Sequence, residues 1–135
     1  MSAAPVVLDS HALLAYFRRE PGGEKVKELL HQADANHVYL HMTEVNYAEV
    51  NYTIRKKEGD EAWSEAARML DALPIAFHPA TRALADQAAR FKALHRMSLA
   101  DAFAAALTKE TGGELVTGDP EFKVLGKEIK IRWLG

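Results

Sequence analysis

Asp9, Asp101 and Asp119 each sit where a short apolar or helical stretch begins or ends, and Glu44 or Glu49 supplies a fourth acid. Asp9 and Ser10 directly follow Val6-Val7-Leu8. Ser98-Leu99-Ala100-Asp101 opens an alanine-rich stretch, and Gly118-Asp119-Pro120 comes after Leu115-Val116-Thr117. Four carboxylates about 5 Å apart, at an effective dielectric near 20, repel by roughly 3 kcal/mol per pair and roughly 20 kcal/mol over six pairs. Such a cluster persists only with a cation among its members or with some of them protonated. All-oxygen donors favour Mg²⁺ or Mn²⁺ over zinc or copper. These ions activate water and stabilise charge on a phosphate, so the chemistry to expect is phosphodiester hydrolysis.

Each acid also has an ordinary structural explanation. Asp9 or Ser10 suits an N-cap, accepting hydrogen bonds from the first free N–H groups of a helix. Asp101 occupies the N3 position of a capping box, although Glu or Gln is the usual residue there. The stretch after it, Ala102 to Leu107, is apolar on every side and therefore predicts a buried helix. A carboxylate at the start of such a helix is costly to desolvate unless paired or metal-bound, which favours function. Asp119 between glycine and proline is plain turn chemistry. On a helical wheel Asn46, Glu49 and Thr53 form one polar stripe, and Glu44, Asn51 and Arg55 another, with Val45, Ala48 and Tyr52 between. Periodicity does not choose between Glu49 and Glu44.

The elements that position these groups alternate. Val6–Leu8, Val38–Leu40, Pro74–Phe77, Leu115-Val116 and Ile129–Ile131 read as brief strands. Between them His11–Phe17, Glu24–Ala33, Val45–Glu58, Glu61–Ala72, Arg82–His95 and Leu99–Thr111 read as helices. This order predicts an α/β fold, a three-layer α/β/α sandwich around a central, mostly parallel sheet. Breakers at Pro21-Gly22-Gly23, Gly59, Pro79 and Gly112-Gly113 separate the elements. No linker or repeat interrupts the chain, so residues 1–135 are expected to form one domain. Ligands of open parallel sheets bind beyond the carboxyl ends of the strands. Asp9-Ser10, Met42-Thr43 and Thr117-Gly118-Asp119 are the polar groups that follow the strands there.

At this point the residues resemble a known family. Val6-Val7-Leu8-Asp9-Ser10 is similar to the opening strand and first acid of PIN domains. Thr43-Glu44-Val45-Asn46-Tyr47-Ala48-Glu49 resembles their second motif, an alignment that selects Glu49 over Glu44. Ser98-Leu99-Ala100-Asp101 resembles the third motif, Leu115-Val116-Thr117-Gly118-Asp119 the fourth, and Ile131-Arg132-Trp133-Leu134 the closing strand. The resemblance spans nearly the whole chain in order. It implies that Asp9, Glu49, Asp101 and Asp119 hold one or two Mg²⁺ or Mn²⁺ ions, with Glu121 near enough to share the part of Asp119. It implies Ser10 and Thr117 as hydroxyls that either support those acids or contact the substrate phosphate. It further implies endoribonuclease activity leaving a 5′-phosphate and a 3′-hydroxyl. The short length looks most like VapC-type toxins, which pair with a small antitoxin and are usually homodimers.

Other groupings are weaker. His37 and His41 are four apart, but they flank an expected strand rather than sharing a helix face, so zinc is not expected. Asp9-Ser10-His11 lacks a nucleophile elbow, and adjacency in sequence does not make a triad. Arg18-Arg19, Lys25, Lys27, Arg55-Lys56-Lys57, Lys92 and Arg96 read as solvated helix faces, some of which could bind RNA phosphates. Tyr16, Phe17, Tyr47 and Tyr52 read as core or dimer contacts. A phosphatase with a nucleophilic Asp usually carries a second Asp two residues on, where this chain has His11. A non-catalytic binding module and a free-standing nuclease remain as alternatives, and an adjacent antitoxin reading frame would favour the toxin.

The net charge of −2 lacks the basic excess of a dedicated duplex binder. The absence of cysteine excludes disulfides and thiolate zinc sites. With 48% hydrophobic and 27% charged residues the composition is that of an ordinary globular protein. Residues 1–8 lack a basic n-region and a long apolar core, so no secretory signal is expected. No apolar run approaches the ~18 residues of a membrane span. A cytoplasmic protein is expected.

Overall fold

The computed structural model describes residues 4–135, so the first three residues of the stretch read above for a leader lie outside it. In chain order the elements are β1 (Val6–Leu8), α1 (Ser10–Phe17), α2 (Gly23–Ala35), β2 (Leu40–Thr43), α3 (Glu44–Glu58) and α4 (Asp60–Asp71). They continue with β3 (Ile75–His78), α5 (Arg82–Leu94), α6 (Leu99–Thr111), β4 (Glu114–Thr117), a 3-10 helix (Pro120–Leu125) and β5 (Lys130–Trp133). The five strands form one sheet in the order β3-β2-β1-β4-β5, and every neighbouring pair is parallel.

Alternation along β1 explains the three layers. Val7 and Leu8 are both buried, but successive strand residues point to opposite faces. Leu8 joins the core under α1–α4 with Leu13, Met42, Val50, Ile54 and Trp63. Val7 joins the core under α5 and α6 with Leu115, Phe91, Phe103 and Phe122. A strand buried on both faces must be apolar throughout, as Val6-Val7-Leu8 is. Chain direction then sets the functional edge. From β1 the chain adds β2 and β3 on one side, crosses back, and adds β4 and β5 on the other. The switch point lies between β1 and β4, and sheets of this kind bind ligands beyond the strands' carboxyl ends at such a point.

Two strands lie later in the chain than expected. Val38 and Tyr39 are 52% and 62% exposed and precede β2, which runs through His41 to Thr43. Leu40 and Met42 are the residues that can face the core, and pairing of Leu40 with Ile75 fixes that register. β5 likewise begins at Lys130, while Ile129 packs into the α5–α6 core just before it. The 3-10 helix was not foreseen, because Gly118-Asp119-Pro120 reads only as a turn. It buries Phe122 and Leu125 against the sheet.

The paired histidines are also rearranged. His37 takes a positive φ of 55° in the turn after α2, whereas His41 lies in β2. His41 Nδ1 faces His78 Nε2 of β3 at 2.9 Å, so its partner comes from the neighbouring strand. No helix among the described residues is long and apolar enough to cross a membrane.

Candidate active site

Asp9 is both a cap and part of the acidic cluster. It is the N-cap of α1, its Oδ1 accepting the Ala12 N–H at 2.8 Å. Its Oδ2 accepts the Thr117 hydroxyl at 2.5 Å, and the residue is 1% exposed. Burial pushes the Asp9 carboxyl up to about 7. The Thr117 and Ala12 hydrogen bonds oppose that shift, and the negative charges of Asp119 and Glu49 add to it.

Asp101 stands at the third position of α6, where Ser98 caps by accepting the Asp101 N–H at 3.1 Å. The helix beyond it is buried along Ala102 to Thr108, as its all-apolar sequence requires. Burial again is the main cause that raises Asp101 to about 7. Asp119, Asp9 and Glu49 contribute in that order, and the Ser98 hydroxyl works against them. Burial comes first and like charge adds to it in raising both carboxyls.

Asp119 caps the 3-10 helix, with Oδ1 accepting the Glu121 N–H at 2.9 Å. Its own N–H is donated to Thr117 Oγ1 at 3.0 Å. Carboxylate oxygens of Asp101, Asp119 and Glu121 all lie within 4.8 Å of one another. Glu121 therefore joins this group together with Asp119. Glu49 is half-buried on α3 and acts on both Asp9 and Asp101, whereas Glu44 is exposed. Tyr52, exposed one turn further along, points its hydroxyl at Glu49 Oε2 at 3.4 Å, and that negative charge raises the phenol's pKa.

Of the supporting hydroxyls, Thr117 joins Asp9 to the backbone of Asp119. Ser10 turns instead toward Asn46, donating to its carbonyl at 3.3 Å and accepting from its Nδ2 at 3.0 Å. Asn46 is the residue that sequence reasoning left without a role. Fully buried, it accepts from Thr43 Oγ1 at 2.5 Å and donates from Nδ2 to the Ala100 carbonyl at 3.1 Å. One side chain thus ties together the beginnings of α1, α3 and α6, from which Asp9, Glu49 and Asp101 project. The spacing Thr43-x-x-Asn46 was a visible capping signal, but its reach to Ala100 was not. His11 packs its ring over Gly118 rather than forming a triad with Ser10.

Arg18 and Arg55 lie away from the acids, whereas Lys92 and Arg96 stand just ahead of α6, Lys92 donating to the Met97 carbonyl at 2.9 Å. α1 and α3 start at the acids and run away, α3 for about 22 Å at the usual helical rise. Arg18 pairs with Glu20 and Glu58, and Arg55 with Asp60, at those distant ends. Tyr16, Phe17 and Tyr47 pack against the α1–α4 core, Tyr47 edge-on to Trp63 and Phe77.

The PIN domain model matches residues 6–128, which includes all four acids and every strand but the last. The chain belongs to the PIN domain family. The PIN fold of this chain is similar to that of DNA-bound VapBC from Salmonella typhimurium, with TM-score 0.79, 14% identity and 98% of this chain and 99% of that chain covered. It is similar to VapBC2 from Rickettsia felis bound to a promoter DNA fragment, with TM-score 0.74, 12% identity and 94% and 96% of the two chains covered. Mycobacterium tuberculosis VapC20, described as a toxin that cleaves the sarcin–ricin loop, is similar at TM-score 0.72 and 17% identity, over 90% of this chain and 95% of that chain. No curated protein sequence matches this PIN domain.

Proposed function

We propose that this PIN-domain protein is a metal-dependent endoribonuclease and the toxin of a toxin–antitoxin pair. The observation that carries the reading is the group of Asp101, Asp119 and Glu121, whose carboxylate oxygens lie within 4.8 Å of one another, with Asp9 and Glu49 near enough for their charges to act on Asp101. Asp9, Glu49, Asp101 and Asp119 would hold Mg²⁺ or Mn²⁺, with Glu121 beside Asp119. The donor set fits: it is all carboxylate oxygen, and its members repel one another without a cation. When bound, such an ion supplies an activated water and charge stabilisation at the scissile phosphate. Thr117 orients Asp9 and fixes the Asp119 backbone, and Asn46 holds the three helix starts in register. Asp9 and Asp101 would hold the ion in their ionised forms.

The similarity to VapBC complexes supports a small antitoxin as partner, and the family resemblance supports a homodimer working in the cytoplasm as one domain over residues 1–135. The test is cleavage of total cellular RNA by the antitoxin-free protein with Mn²⁺, with Mg²⁺ or with chelator, mapping new 5′ ends. Metal-dependent cuts bearing 5′-phosphates, absent in Asp9→Asn, are expected. A folded protein that neither cuts RNA nor binds Mn²⁺ is instead a binding module.

A further inference from the structure

β5 closes one edge of the sheet, and its side chains give that edge a character unlike the rest of the molecule. Ile131 pairs with Leu115 and Trp133 with Thr117, so each pair shares a face. Ile131 packs on the α5–α6 core, while Trp133 stays 37% exposed, in contrast to the buried Trp63. Between β5 and the segment that follows the acids lies an open groove of about 590 Å³, lined by Lys123, Lys127, Lys130, Ile131, Trp133 and Glu128. Glu128 is engaged by His95 at 2.6 Å. None of the three lysines is in an ion pair among the described residues. The groove therefore presents the ammonium groups of Lys123 and Lys127 and one accessible indole, while Lys130 alternates to the other face of β5 from Ile131 and Trp133.

Its position relates it to the acids. Trp133 is one strand away from Thr117, whose hydroxyl bonds Asp9. Lys123 lies in the same 3-10 helix that begins at Asp119 and carries Glu121. An acidic centre repels the phosphates on either side of a scissile bond, so a substrate needs positive charge close by. A cationic groove with an exposed aromatic is the arrangement that holds single strands, the base stacking and the phosphates pairing.

We propose that the groove between β5 and the 3-10 helix binds single-stranded RNA beside the acidic centre. One base stacks on Trp133, and neighbouring phosphates pair with Lys123 and Lys127. This rests on the ribonuclease reading and names the residues that hold the strand beside the acids. A duplex keeps its bases stacked internally and cannot offer one to the indole.

The test is titration of the whole protein with a fluorescein-labelled oligouridylate in EDTA, following anisotropy and tryptophan emission. The oligonucleotide should quench emission. Trp133→Leu should abolish that quenching and weaken binding about 5- to 100-fold, while Trp133→Phe restores most of the affinity without the signal. Replacing Lys123 and Lys127 together by Gln should reduce the slope of log affinity against log salt by about 1.4. Thermal unfolding of each variant checks that the fold survives. Unchanged affinity and slope in the variants, or no binding by the wild type, overturns the proposal. Mn²⁺-dependent cleavage by the wild type separates the two readings. If RNA is cut but the variants bind and cut normally, the groove falls and the nuclease stands. If RNA is held in the groove but never cut, the groove stands and the nuclease falls.

Discussion

Thr117 donates its hydroxyl to Asp9 Oδ2 at 2.5 Å across 108 residues of sequence, joining the ends of β4 and β1. The same oxygen accepts the Asp119 N–H at 3.0 Å, so one hydroxyl sets both the orientation of one acid and the backbone of another.

Thr117→Val keeps the shape and removes both bonds. It leaves a buried carboxylate oxygen and a part-buried N–H without their partner, which should cost about 1–3 kcal/mol of stability. Loss of such an orienting partner should lower Mn²⁺ affinity or cleavage about 10- to 100-fold. Chemical denaturation and a metal titration measure the two effects. A normal metal affinity would show that Thr117 only caps.

Asp9→Asn should separate charge from shape. The amide oxygen can still accept the Ala12 N–H that caps α1. Metal-dependent cleavage should fall by more than the ~10- to 100-fold of a supporting residue. Without metal at pH 8 the variant should melt above the wild type, because a buried negative charge has gone. Calorimetry in EDTA checks this, and a lower melting temperature would contradict it.

Asn46→Ala should damage the scaffold first. It strips Ser10 Oγ and the Ala100 carbonyl of their donor and leaves space at a fully buried position, costing about 2–4 kcal/mol. The remaining folded fraction should bind Mn²⁺ more weakly, because the starts of α1, α3 and α6 lose their common tie. Denaturation at a fixed metal concentration reads both.

Asp9 and Asp101 titrate near 7 in the fold, against an ordinary carboxylate value of 3.8 when unfolded. Both values are raised, so the contribution of these groups to stability is full below about pH 4 and is lost as the pH rises to about 7. The metal-free protein should therefore lose that contribution between these limits. Mn²⁺ requires the ionised forms, so its affinity should rise over the same interval and its binding should release protons. At a hundredfold excess over its Kd the ion should restore about 2.7 kcal/mol. Melting curves with and without Mn²⁺ at pH 5 and pH 8, with titrations in buffers of different ionisation enthalpy, test the sign.

Glu121→Gln should weaken Mn²⁺ binding and Glu44→Gln should not. The Glu121 carboxylate is exposed like that of Glu44, but it lies within 4.8 Å of Asp101 and Asp119, a group to which Glu44 does not belong. Equal behaviour of the two would remove Glu121 from the site.

The sequence by itself determined the layers and the edge. Val6-Val7-Leu8 is apolar throughout because both faces of β1 are buried, and the alternation of strands with amphipathic helices leaves a parallel sheet as the arrangement that covers every apolar face. Breakers and caps lie beside the residues they act on, so most helix limits were legible to within two residues. Asp9, Asp101 and Asp119 were visible because each directly follows or opens an element. Tertiary structure decided what depends on residues distant in the chain. The register of β2 was set by its pairing with β3, which left Val38 and Tyr39 outside and brought His41 to His78. Glu49 and Glu44 share one helix, and only the packing of α3 against the sheet turned Glu49 inward. The bonds Thr117–Asp9 and Asn46–Ala100 span 108 and 54 residues, and no local propensity encodes them. The raised carboxyls of Asp9 and Asp101 have the same cause: desolvation and mutual repulsion exist only once the chain has folded and buried them together.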